Sequence, residues 1–173
     1  MNVSELRKNE YNPYYQVYIN ALGNGDLKET LSKQCDNFPK FIKSIPEEKL
    51  YYAYGKDKWT IAEVLLHIID TERVFQYRAL RFARMDRTPL PGFDQDLFVP
   101  NSNANNRTKK SLVEEYIAVR KSTIALYSSF DRADLQKVGV ASDSETSVAA
   151  LGFIICGHQR HHRDVIRERY LQD

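Results

Sequence analysis

The stretch Gly157-His158-Gln159-Arg160-His161-His162, inside a helix candidate at residues 151–170, holds three of the chain's four histidines. Residues four apart on a helix share a face, so His158 and His162 point together and His161 lies one step off their line. The pair continues the stripe Leu151, Ile154/Ile155, His158, His162, Val165/Ile166, which should face a core. Two buried imidazoles without partners would leave nitrogens unsatisfied, at about 1–3 kcal/mol each. A divalent metal would satisfy both. Gly157 costs a helix interior roughly 1 kcal/mol against Ala, so its expected use is the close approach of another helix or of a ligand.

The fourth histidine lies in the helix with the clearest start signal. In Trp59-Thr60-Ile61-Ala62-Glu63-Val64, Thr60 can cap the amide of Glu63 while Glu63 reaches back to the amide of Thr60, and Trp59 can staple against Val64. This helix should run from Ile61 to about Arg84, with His67 in its second turn. Alone, a histidine among Val64, Leu65, Leu66, Ile68 and Ile69 reads as a hydrogen-bonded core residue. With His158 and His162 it completes three nitrogens and an open position, the layout of a catalytic rather than a structural metal site. Cys156 is two residues from His158, about 200° around the axis, and reads as a small core residue. Glu63 is spent on its cap. Asp70 and Glu72 could each orient an imidazole or bind a buried arginine, and surface pairs with Arg73 or Arg78 are the plainer alternative.

Further helices are marked by Asp26-Leu27-Lys28-Glu29, whose apolar face runs to about Ile45 before Pro46, and by Leu112, Tyr116, Val119, Thr123, Leu126 and Phe130 across residues 108–130. Ser147 or Thr146 should cap the last one. Four long helices behind a short, Tyr-rich N-terminal element predict one all-α domain over residues 1–173, a four-helix bundle. Residues 131–145 read as polar and turn-rich. Residues 86–107 look irregular and exceed the usual ceiling of ~12–15 residues for a structureless loop. They are either a lid, with Asp94 and Asp96 able to reach a metal mouth, or a solvated crossover joining two parallel helices.

Composition narrows the function. A net charge of +2 is too small to indicate nucleic acid or an acidic membrane surface, and Arg160, Arg163, Arg167 and Arg169 are interleaved with Asp164 and Glu168. No apolar run is long enough to span a bilayer. Met1-Asn2-Val3-Ser4-Glu5 has no apolar core, so no signal peptide is expected. Two cysteines, Cys35 and Cys156, suit a reducing cytoplasm rather than a disulfide scaffold.

Three stretches together carry a resemblance. They are Lys58-Trp59-Thr60-Ile61-Ala62-Glu63-Val64-Leu65-Leu66-His67-Ile68-Ile69-Asp70-Thr71-Glu72, Leu90-Pro91-Gly92-Phe93-Asp94, and Gly157 to His162. With W-[ST]-x-x-E-x-x-x-H in one helix and H-x-x-x-H in the last, the chain resembles the DinB-like family of metalloenzymes. The resemblance implies an up-up-down-down bundle, one divalent ion on His67, His158 and His162, and a homodimer. It further implies a thiol-dependent S-transferase or a hydrolase acting on a small molecule, with a low-molecular-weight thiol as a possible co-substrate.

The metal would lower the pKa of a bound water or thiol, and Asp70 or Asp94 would transfer protons. Three imidazoles suit Zn, Ni, Fe or Mn alike. The rival readings are a non-catalytic metal- or small-ligand-binding stress-response protein, marked by a fourth protein ligand, and an interaction module with three core histidines and no metal.

Overall fold

The computed structural model describes residues 1–172. Each long helix begins where a side chain can satisfy the free amides of its first turn. Asp26 caps α2 (Leu27–Ser44), Thr60 caps α3 (Ile61–Ala83), Thr108 caps α5 (Lys109–Ser128) and Ser147 caps α7 (Val148–Val165). The reciprocal Thr60–Glu63 box is present. α2 ends at Ser44, with Ile45 extended ahead of Pro46. Shorter helices α1 (Gln16–Asn20), α4 (Gln95–Asn101) and α6 (Arg132–Gln136) occupy the connections.

The four long helices form the expected all-α bundle, with hydrogen bonds that fix their directions. Lys109 reaches the carbonyl of Ile45 while Lys28 reaches that of Phe130, so α2 and α5 are antiparallel. Glu63 meets Asn105 just before α5, and Gln76 meets Ser122 within it, so α3 and α5 are parallel. The Tyr170 hydroxyl donates to the carbonyl of Trp59, and Lys137, ahead of α7, donates to that of Ala83, so α7 runs against α3. Gln34 meets the Cys156 carbonyl and Arg167 lies over Phe41, so α7 runs with α2.

The order is therefore up-down-down-up, which corrects the up-up-down-down order implied by resemblance. Physically, an up-up-down-down chain needs two long crossovers, and this one has a single crossover, between α3 and α5. That segment joins two parallel helices, as one of its two readings required. It is not structureless, since α4 and a 3-10 turn at Ala104–Asn106 lie within it.

Residues 131–145 are also more ordered than their polarity suggests. They hold α6 and most of an antiparallel hairpin, β1 (Val138–Ala141) with β2 (Ser144–Ser147). Its two-residue turn places Ser142 and Asp143 at φ +52° and +57°, the left-handed pair a tight hairpin needs. Leu90 bridges to Ala141, so the crossover is stitched to the hairpin. After Val165 the chain continues as a π-helical segment, Ile166–Tyr170.

Candidate metal centre

α3 and α7 cross where both carry histidines. His67 Nε2 lies 3.0 Å from His158 Nε2, and His162 Nε2 lies 3.0 Å from the same atom. The three ligand atoms are all within 4.8 Å of one another, and no fourth side chain joins them among the described residues. The structure thus brings together all three histidines singled out in the sequence. His67 and His158 are buried and His162 is half-buried.

Their electrostatics suit ligation. Burial pushes the His67 imidazole down to about 4. His162 is pushed down to about 3, by burial and then by His67 and His161. His158 is held well below its ordinary value by burial and the other three histidines. All three rings are therefore neutral at pH 7, the form that offers a lone pair to a metal. Three lone-pair nitrogens converging without a carboxylate have one hydrogen-bonding arrangement too few, because His158 Nε2 faces two imidazoles at once. A borderline divalent cation fits this donor set.

The surroundings explain how the rings are held. Thr71, one turn after His67, places its hydroxyl 3.4 Å from His67 Nδ1. Trp59 covers the ring of His67, centroids 5.0 Å apart. Tyr18 stands edge-on to His158 and His161 at 5.4 and 5.2 Å. Gly157 permits this: a Cβ there would lie 2.2 Å from the Tyr18 carbonyl oxygen. The Tyr-rich arm thus packs as a short helix directly on the site. Thr71 was legible as an i, i+4 neighbour of His67, whereas nothing local in the sequence tied Tyr18 to the histidines.

Two cavities flank the cluster. One, of about 400 Å³, is lined by Tyr15, Tyr18, Thr71, Phe75, Asp94 and His158 among others. The other, of about 390 Å³, is lined by Trp59, His161, His162, Arg169 and Tyr170 among others. Asp96 borders both. Asp94 lies on the His158 side, where it also caps α4 by accepting from the amides of Asp96 and Leu97.

Asp70 is placed elsewhere. It pairs with Arg73, which also binds Glu115 of α5, and Asp70 borders neither cavity. Three residues from His67 it sits on the α5 side of the helix rather than the α7 side, so the plainer ion-pair reading describes it. Glu72 takes the buried-arginine option, with Arg120. Cys156 is fully buried, as expected of a small core residue.

Comparisons agree with this architecture. A candidate metal-dependent hydrolase of Oceanobacillus iheyensis is 26% identical over 145 residues, 79% of this chain and 81% of that one. The solved structure of YfiT from Bacillus subtilis is described as a candidate metal-dependent hydrolase with an unusual four-helix bundle topology. It superposes with a TM-score of 0.73 at 13% identity, covering 82% of each chain. The family model of the DinB superfamily matches residues 30–166, most of the bundle, and the chain belongs to that superfamily.

Proposed function

We propose that this protein is a metal-dependent enzyme that transfers a small electrophile to water or to a low-molecular-weight thiol. The ion would be divalent and held by His67, His158 and His162. The observation that carries this reading is the three-nitrogen cluster at the boundary of two cavities, with no fourth protein ligand among the described residues. A closed fourth position would instead favour a non-catalytic binding protein. When bound, a divalent ion supplies Lewis acidity and lowers the pKa of a water or thiol beside it.

The chain's own groups do the rest. The histidines, spent as ligands, orient rather than exchange protons. Tyr18 and Trp59 pack against the imidazoles of His158 and His67 and each line one of the two cavities. Asp94, which lines the same cavity as His158, is the proposed group for moving a proton, and it is preferred to Asp70, which pairs with Arg73 and borders neither cavity. The relatives' description favours water as acceptor, and the family resemblance favours a thiol. A homodimer and a cytoplasmic setting belong to the same proposal. Both cysteines are free, and no helix among the described residues is long and apolar enough to cross a membrane.

The test is turnover of an activated aryl ester and an aryl halide by zinc-loaded protein, each with and without a thiol. At least a tenfold rate advantage over His162→Ala is expected, and dependence on the thiol separates the two acceptors. Equal rates for wild type and His162→Ala would remove the enzymatic reading.

A further inference from the structure

Among the described residues two arginines are buried, in opposite circumstances. Arg120 is fully buried, and Glu72 receives its guanidinium through two parallel bonds of 2.7 and 2.8 Å. Arg78 is 3% exposed, yet no carboxylate pairs with it among the described residues. Tyr15 offers its hydroxyl to the guanidinium, and the two shortest bonds to the protein leave from Nη2. They go to two neutral oxygens, the Pro91 carbonyl and the Ser142 hydroxyl, each at 3.0 Å. Taking a cation out of water is costly unless an opposite charge meets it, so the Arg78 guanidinium lacks a counter-charge that its buried counterpart has.

Its position says where that charge would come from. Thr71, Phe75 and Arg78 lie on one face of α3 at spacings of four and three. Along the axis, Arg78 is roughly 10 Å beyond Thr71. The cavity that starts at His158 and Thr71 is also lined by Phe75, Phe93, Tyr15 and Ser142. All four of these touch or neighbour Arg78. The guanidinium lies 5.4 Å from the Phe75 ring and 5.8 Å from the Phe93 ring, and it stands beside the Tyr15 hydroxyl. A guanidinium held over aromatic faces still has N–H groups with which to bind a carboxylate. The acids on the same cavity, Asp94 and Asp96, stand exposed on α4 at its rim, and Asp94 is engaged in its cap.

We infer that Arg78 binds the carboxylate of a small organic acid whose apolar body lies along Phe75, Phe93 and Tyr15 and whose other end reaches His158. The inference rests on the proposed reactive centre and deepens it by naming the substrate class. Arg78 is a binding residue here, set just behind the wall that Phe75, Phe93, Tyr15 and Ser142 give to a cavity that His158 also lines. The Pro91 and Ser142 bonds, made by a single nitrogen, hold the crossover and the hairpin turn around it.

The test compares 3-phenylpropionate with its neutral isostere 3-phenylpropanamide by calorimetric titration. It is run on protein as purified and after chelation, so that carboxylate coordination to a metal cannot contribute. The chelated wild type is expected to bind the acid at least tenfold more tightly than the amide. Arg78→Gln should bring the two within twofold, and Arg78→Lys should fall between. His162→Ala, which should lose zinc uptake, should keep the wild-type preference.

A wild type that binds neither ligand, or does not distinguish them, overturns the inference, as does an Arg78→Gln protein that keeps the preference. A co-crystal with the acid needs no variant. It should place a carboxylate oxygen about 3 Å from an Arg78 nitrogen, and a carboxylate seated elsewhere contradicts it. Loss of the preference with intact zinc uptake removes this inference alone. Failed zinc uptake with an intact preference removes the reactive centre and leaves an anion site.

Discussion

His158 Nε2 is the atom on which the site turns, because both other imidazoles are within 3.0 Å of it. Burial and the neighbouring rings disfavour protonation of these imidazoles, which gives a pH dependence with a definite sign. An unfolded histidine titrates near 6.5. The folded values lie lower, about 4 for His67 and about 3 for His162, with His158 also depressed. Below 6.5 the unfolded chain therefore binds more protons than the folded one. Stability is complete above that pH and falls as pH drops through the window toward 3–4. The loss is at most about 1.4 kcal/mol per pH unit for each group. Urea unfolding of chelated protein between pH 7.5 and 5 should show wild type weakening more steeply than a His67→Gln/His162→Gln variant; parallel profiles would contradict this. The histidines were legible at this scale because an i, i+4 pair on an apolar stripe is a local pattern. Arg78 was not. In the sequence it read as a partner for surface carboxylates, and only the fold encloses it without one.

The decisive pairing among elements is α1 against α7. The arm is seated mainly on α7, and its seat depends on the missing side chain at Gly157. Gly157→Ala would drive a methyl toward the Tyr18 backbone. The expected cost is about 1–3 kcal/mol, with faster amide exchange across Gln16–Asn20 and Tyr18 displaced from His158. Unchanged exchange in α1 would show that this packing does not hold the arm. Helix starts at this scale were readable, since a capping side chain and its amide are three residues apart and their chemistry is complete within one turn. The hairpin and α4 were not readable. Ser142 and Asp143 adopt left-handed backbone without the glycine that usually announces such a turn. α4 is only seven residues long and contains Pro100, so it shows no periodicity to detect.

Across the whole molecule, one polar network ties the four long helices together. Glu72 of α3 holds Arg120 of α5, Arg120 donates to Gln34 of α2, and Gln34 donates to the Cys156 carbonyl of α7. Arg120→Met leaves Glu72 buried and unpaired, and should destabilise the protein by about 3–5 kcal/mol, measured by denaturant unfolding. A loss under about 1 kcal/mol would show the network to be dispensable. This layer also sets the register of α3 against α5, and hence the height at which His67 meets α7. Apart from the parallel pair joined by the crossover, helix direction was the part of the fold that the sequence did not yield. It depends on how connections cross the ends of the bundle, which no local pattern encodes. The count of long helices and the convergence of His67 with the pair on α7 were legible, because each helix's apolar face marks which side must turn inward. That convergence is most directly tested by equilibrium dialysis of chelated protein against zinc, wild type beside His67→Ala, His158→Ala and His162→Ala. One equivalent is expected for wild type, and at least a hundredfold weaker binding for each variant. Undiminished uptake by His67→Ala, or none by wild type, would contradict the convergence.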